Sequence, residues 1–450
     1  MKTDTSPREI DQLVDARWIV PVEPADTVLE HHSLAIHEGR ILAILPTAEA
    51  RQRFVPQQHF QLTNHLLLPG LVNLHTHAAM ALLRGYADDI ALMRWLQERI
   101  WPAESRHVSP EFVRDGTLLA CWEMLRGGIT CFNDMYFFPQ AAAEAALTAG
   151  MRAVLGITVF EFPSVYGCDA DDYLAKGLST RDALRDEPLI SFCLAPHAPY
   201  TVADKTFERV AALADQLDLP VHIHVQETHD EIAGSLKEHG VRPLERLYRL
   251  GLLGPGLIAV HAVHLNDDEI DLLARQGCHV AHCPSSNMKL ASGLAPVGKL
   301  LARGISVGLG SDGAASNNRL DLLQEMRHAA LLAKLGSNDA ACLPAHQALR
   351  MATLDGARAL GMDDKIGSLL PGKEADLFAL RLDEWDLQPC YDPISHLVYT
   401  AGREYITHVW VAGKLRIKDT IPVDSMIPAL LQSTLMWQNR ISNKHELDID

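Results

Sequence analysis

From residue 69 to 365, short apolar runs alternate with helix-patterned stretches, and nearly every run ends in a residue able to do chemistry. Such alternation is the signature of repeated βα units around a parallel sheet. Eight runs predict strands, over 67–75, 129–134, 152–158, 189–195, 220–225, 257–262, 277–282 and 305–310. Their ends carry His75 and His77, Asn133 and Asp134, His197, His224 and Glu227, His261 and His264, His282, and Asp312. Eight units favour a closed (β/α)8 barrel over an open sheet, and barrel enzymes build their sites on that C-terminal rim.

Both flanks have a different texture. Residues 13–68 read as short strands separated by turns, and 367–380 and 408–414 resume the pattern. The last stretch, 439–450, is polar enough to fray. With 40 basic and 57 acidic residues the net charge is -17, which disfavours a grip on nucleic acid or an anionic membrane and makes a small molecule the expected partner. The first fifteen residues are polar, and no apolar stretch approaches the roughly 18 residues a membrane span needs, so a cytoplasmic location is expected. Eight scattered cysteines without C-x-x-C spacing read as reduced core residues.

On a strand, His75 and His77 share a face, which suits a metal but equally suits two satisfied strand histidines. In 221–227 alternation puts His222, His224 and Gln226 on one face, with His222 reading as an inner-layer barrel residue rather than a ligand. Glu227 has the opposite parity and enters the site only if the chain is already turning. Asp312 is released between glycines at the end of the last run. Gly308, Gly310 and Gly313 also fit G-x-G-x-x-G, but a dinucleotide fingerprint opens the first βαβ unit, whereas this one closes the last. Together His75, His77, His224 and Asp312 suit a borderline divalent cation such as Zn2+, which lowers the pKa of a coordinated water towards about 7. Glu227 is then the candidate proton shuttle, and His261 the group that orients or polarises the attacking water. H-E-x-x-H, the P-loop, Gly-x-Ser-x-Gly and the cytidine-deaminase signature do not occur.

The chain resembles the amidohydrolase superfamily, and within it the 5'-methylthioadenosine/S-adenosylhomocysteine deaminases. The resemblance spans nearly the whole length and rests on seven blocks: Pro69 to His77, Trp101 to Glu104, Ala195 to Tyr200, His224 to Thr228, His261 to His264, His282 to Leu290 and Gly310 to Asn318. It implies a metal-dependent hydrolase barrel over 69–365, with 1–68 and 366–450 forming one small composite β-sandwich. It also implies one divalent metal per subunit, Zn2+ foremost, held by His75, His77, His224 and Asp312. Glu227 would hold N1 of the adenine, His261 the hydrolytic water, Glu104 the ribose 2'- and 3'-hydroxyls, and His197 the nucleoside near its ribose and 5' end. In the implied reaction Asp312 takes a proton from water, hydroxide adds at C6, Glu227 protonates N1, and Asp312 passes a proton to the leaving amine.

One segment departs from the family pattern. Members that accept a homocysteine tail are expected to place arginine near the connection between the third and fourth barrel strands. Here 159–180 contains no arginine and a single lysine, Lys176, beside Glu161, Asp169, Asp171 and Asp172. Phe160, Phe162 and Tyr166 instead suit a methylthio group. The expected substrate is therefore 5'-methylthioadenosine, with S-adenosylhomocysteine or adenosine as further candidates. The rivals are a deaminase or chlorohydrolase of another heterocycle, of guanine or s-triazine type, and a barrel that has lost catalysis. The sequence leaves the assembly state, including a homo-oligomer, open.

Overall fold

The computed structural model describes residues 7–424 and 426–442. Two eight-stranded sheets organise them. The first takes strands from both chain ends: β1 (Arg8–Ile19), β2 (Leu29–His37), β3 (Arg40–Pro46) and β4 (Phe54–Pro69) from the start. The second holds β5 (Leu71–Thr76), β6 (Ile129–Asp134), β7 (Arg152–Val159), β8 (Ile190–Pro196), β9 (Val221–Val225), β10 (Leu257–His261), β11 (His279–His282) and β12 (Ser306–Leu309). The chain then returns to the first sheet with β13 (Leu377–Arg381), β14 (Ile406–Val411), β15 (Lys414–Lys418) and β16 (Ile421–Pro422).

In the second sheet each strand pairs in parallel with the next, from β5 to β12. The sheet curls until its edges meet, where the Asp312 amide donates to the His75 carbonyl at 3.0 Å. Val72, Cys131, Val154, Cys193, Val260 and Ala281, from six different strands, form one buried cluster, which is possible only inside a barrel. Helices cover the outside, beginning with Pro110–Arg126 after β5 and ending with Leu322–Ser337 after β12.

The end sheet runs β16-β15-β14-β13-β4-β1-β2-β3. β4 pairs with both β1 and β13, so neither chain end can complete it alone. Its core joins Val14, Leu34, Ile36 and Leu67 to Leu377 and Trp410. The helix Ile427–Ser442 leaves this sheet and packs on barrel helix Pro110–Arg126, where Trp437 Nε1 donates to Asp115 Oδ2 at 3.0 Å. Residues 439–442 of the polar tail are thus helical, and 443–450 lie outside the described residues.

The first barrel strand differs from its predicted bounds of 67–75. Leu67 and Leu68 belong to β4 in the end sheet, and the chain changes sheets at Gly70. A Cβ there would lie 2.1 Å from Thr130 Oγ1, so only glycine lets the two sheets meet so closely. All eight cysteines are free thiols, five of them buried. Among the described residues no helix is long and apolar enough to cross a membrane.

Candidate active site

The register of β5 on β6 slips by one residue between Asn73 and Thr76. Asn73 therefore reaches out to Met124 and Ser311, while His75 turns in to meet His222 of β9. A bulge of this kind re-aims side chains at a barrel rim. His75 Nε2 and His77 Nε2 lie 3.2 and 3.3 Å from Asp312 Oδ1. His224 Nε2 lies 3.2 Å from His75 Nε2.

Hydrogen bonds behind the rings decide which nitrogens point inward. His77 Nδ1 meets the Met135 carbonyl at 2.6 Å, and His224 Nδ1 the His197 carbonyl at 2.8 Å. A carbonyl only accepts, so both Nδ1 atoms carry a hydrogen and each Nε2 is the atom turned towards the cluster. Burial drives the His75 pKa down to about 4, against the pull of Asp312, and pushes His224 well below the ordinary range. His77 Nε2 and His75 Nε2 both face the same oxygen of Asp312. The donor set and the carbonyl-anchored rings fit a divalent metal. Two overlapping sets place their ligand atoms within 4.8 Å of one another, His75 with His77 and Asp312, and His75 with His224 and His261.

Asp312 is held from behind. Ser286 and Ser316 hydroxyls donate to its Oδ2 at 2.6 and 2.8 Å, and the Gly313 amide to Oδ1 at 2.8 Å. Burial alone would raise its pKa, but the hydrogen bond and charge of His75 keep it well below the usual carboxylate range. Its backbone has φ +59°, and Gln226, His261 and Ala262 have φ +53°, +67° and +46°. Non-glycine residues in this region cost on the order of 1 kcal/mol or more each, and such strain gathers at functional sites.

The turn at Gln226 ends β9 and carries Glu227 inward despite its parity. Glu231, at the start of the next helix, clamps that turn by accepting the Gln226 and Glu227 amides at 2.8 and 2.9 Å. Burial pushes the Glu231 pKa up to about 7. Ser292 Oγ donates to Glu227 Oε1 at 2.9 Å, leaving Oε2 facing His261 Nε2 at 3.7 Å. On its other side His261 Nδ1 meets Asn287 Oδ1 at 2.8 Å. Burial opposes a charge on His261, yet the nearby Glu227 and Asp312 carboxylates raise its pKa overall.

A cavity opens above these groups, and Glu104, His197 and Tyr200 line it as well. Glu104 sits on the helical segment Leu92–His107, which passes through a π turn at Leu96–Ile100. Pro102 accounts for the turn: it has no N–H for an i→i−4 bond and its ring crowds the carbonyl there. Glu104 Oε1 accepts the Tyr136 hydroxyl at 2.7 Å, and burial pushes its pKa up to about 7. The His197 ring stacks on Phe160 with centroids 4.7 Å apart, and burial lowers its pKa to about 3.

Other strand-end residues serve the scaffold instead. Asp134 accepts the Ala78 amide, Asn133 donates to the Leu74 carbonyl, and His264 Nε2 meets the Ser292 carbonyl. His282 is buried with neither ring nitrogen paired. Tyr166, expected over the substrate, packs instead against Phe138 behind the cavity wall. The sequence reading missed Ser286, Ser292, Ser316, Asn287, Tyr136 and Glu231. Of these Ser286, Asn287 and Ser316 sit inside the blocks that carry the resemblance, which was the available signal.

The sequence pattern of the Amidohydrolase family matches residues 66–416. The chain is 46% identical over 440 residues to a 5-methylthioadenosine/S-adenosylhomocysteine deaminase of Teredinibacter turnerae, covering 98% of this chain and 100% of the other. It is 47% identical to the protein of that name in Saccharophagus degradans, over 92% of this chain and 93% of the other. A crystal structure of an adenosine deaminase from Xanthomonas campestris, solved with bound zinc, superposes with a TM-score of 0.95 at 49% identity, over 97% of this chain and 99% of the other. A closed parallel barrel, a histidine and aspartate cluster on its rim and this likeness over nearly the full length agree, and the chain belongs to the amidohydrolase family, whose members are metal-dependent.

Proposed function

We propose that this protein hydrolytically deaminates 5'-methylthioadenosine at C6, giving the 6-oxo nucleoside and ammonia. The observation that carries the reading is one cavity lined both by Glu104 and by Glu227, His261 and Asp312. A carboxylate that accepts two hydroxyls suits a ribose diol, and the Glu227, His261 and Asp312 group suits an aminated ring.

His75, His77, His224 and Asp312 would hold one Zn2+ ion, which when bound acidifies the attacking water. Asp312 takes the first proton of that water, its Oδ2 fixed by the two serine hydroxyls. His261, anchored through Nδ1 to Asn287, directs Nε2 at the attacking oxygen and steadies the charge developing there. Glu227, held by Ser292 through Oε1, passes a proton from Oε2 to N1 as C6 becomes tetrahedral. Asp312 then gives its proton to the amine, and the hydroxyl proton at C6 restores the Glu227 carboxyl as ammonia leaves. Net, water is consumed and its oxygen remains on C6.

An ammonia-release screen over 5'-methylthioadenosine, S-adenosylhomocysteine, adenosine, guanine and cytosine, with metal content measured on the same sample, tests the proposal. Release from guanine or cytosine but from no nucleoside would overturn it.

Two further outcomes follow from the cavity lining. Lys176 donates to the Tyr166 carbonyl at 2.7 Å and to Asp172 at 2.8 Å, so it is engaged away from the cavity. With no Lys or Arg lining the cavity among the described residues, kcat/KM for 5'-methylthioadenosine is expected to exceed that for S-adenosylhomocysteine by about tenfold or more, one lost charge-assisted contact. Steady-state comparison of the two checks this. Glu104 binds the diol best when ionised, so KM is expected to fall as pH rises through about 7. Glu104→Gln should raise KM by about tenfold or more and remove that pH dependence, leaving kcat less affected.

A further inference from the structure

Glu325 is a buried carboxylate to which the reaction above gives no part. It lies in the first turn of the helix Leu322–Ser337, shielded from solvent, and burial pushes its pKa up to about 7, with the neighbouring Asp321 charge adding to the rise. Both of its oxygens accept from N–H groups: Oε2 from the Ser285 amide at 3.0 Å, and Oε1 from Asn317 Nδ2 at 2.8 Å. Asn317 Nδ2 also donates to the Ser311 carbonyl at 2.7 Å, so both of its hydrogens are committed. Two donors meeting one side chain demand two acceptor atoms, which a carboxylate has and an amide lacks. Burying a carboxylate costs stability that a neutral side chain would save, so its place here points to a task beyond packing.

Its two partners stand next to the two serines that bracket Asp312. Ser285 precedes Ser286 in the short helix Pro284–Lys289, and Asn317 follows Ser316. Ser286 and Ser316 reach Asp312 Oδ2 at 2.6 and 2.8 Å from different segments, one after β11 and one after β12. A second bond from the same helix, between His328 Nδ1 and Ser285 Oγ at 2.9 Å, holds the first segment. Resting on the deaminase reading above, we propose that Glu325 is a positioning residue for proton transfer at Asp312: by accepting from both segments at once it fixes the Ser286 and Ser316 hydroxyls against Oδ2. Glu325 does not line the site cavity, so it acts only through those serines. With either hydroxyl displaced the Asp312 carboxylate can turn, and the oxygen that exchanges protons with water and the leaving amine shifts from its place. Substrate binding does not depend on that angle, so the effect falls on kcat.

The test measures kcat and KM by ammonia release from 5'-methylthioadenosine, with metal per chain and circular dichroism, for Glu325→Gln, for Ser286→Ala with Ser316→Ala, and for all three changes together. Glutamine keeps the size but sets an N–H against the Ser285 amide or Asn317, so kcat is expected to fall by about tenfold or more, with KM within about threefold and metal content unchanged. In the chain lacking both serine hydroxyls the same substitution should lower kcat by less than about threefold, because the groups it acts through are gone. A packing role would give the same fold-loss in both backgrounds. Equal losses, an unchanged kcat, or a loss confined to KM or metal content overturns the proposal. Should Glu325→Gln fail to fold, Asn317→Ala tests one arm. Its loss in kcat should shrink to less than about threefold beside Ser316→Ala and persist beside Ser286→Ala, and any other pattern overturns the proposal. Absence of ammonia from the unaltered protein overturns the deaminase reading instead, so the two failures are distinct.

Discussion

Glu227→Gln is expected to lower kcat for 5'-methylthioadenosine by about 10³-fold while KM changes by less than about threefold. The amide keeps the size of the carboxyl and a hydrogen-bonding group towards N1, so it retains binding. What it loses is the transferable proton, and a positioned proton donor contributes about 10²–10⁴-fold to a rate. The surroundings direct the effect to Oε2, because Oε1 already accepts the Ser292 hydroxyl. Single-turnover ammonia release with matched steady-state kinetics measures the split. A variant that loses activity through KM alone would show that Glu227 binds the base without moving a proton.

Asp312→Asn is expected to do more, lowering kcat by at least about 10⁴-fold and lowering metal content as well. The residue is asked for two things at once: an anionic ligand on Oδ1, and a proton carrier between water and the leaving amine. The asparagine is nearly the same size, so Ser286 and Ser316 can still bracket the side chain, and circular dichroism should be unchanged. Metal per chain, measured after dialysis, separates the two roles. Stability gives a readout that does not depend on turnover. An ion that binds only the folded chain raises Tm in proportion to the logarithm of its concentration above Kd, so Zn2+ should raise the Tm of the unaltered protein and raise that of Asp312→Asn less. Near-normal kcat in the variant would remove Asp312 from the mechanism.

Much of the fold is legible in the chain because a parallel barrel buries its strands on both faces and releases polar residues only at their ends. Seven of the eight predicted strands coincide with barrel strands to within two residues at either end. The first does not, since the run 67–75 stays apolar across Gly70 and periodicity cannot see a change of sheet. The contact of Gly70 with Thr130, and the pairing of Leu67 with Ala379, are made by segments far away in sequence.

The histidine pair shows where local reasoning stops. Alternation puts His75 and His77 on one face, but it would also put Asn73 there. The register slip on β6 sends Asn73 outward and His75 inward. Glu227 shows the converse: its parity is wrong for the site, and the left-handed turn at Gln226, clamped by Glu231, corrects it. Tyr166 has the expected composition and the wrong place, because it is drawn into the aromatic cluster with Phe137, Phe138 and Tyr173.

By itself the sequence determined the βα repeat, the kinds of group at each strand end and the family resemblance, because these depend on residue type and spacing along the chain. Only the tertiary structure decided which imidazole nitrogens face the cluster, which carboxylate oxygen faces the ring, and that Glu104 lines both the site cavity and an apolar one beside it. Those features depend on partners such as the Met135 and His197 carbonyls, Ser292 and Phe162, brought near by barrel closure and by no local pattern. Spacing specifies the donors, and packing aims them.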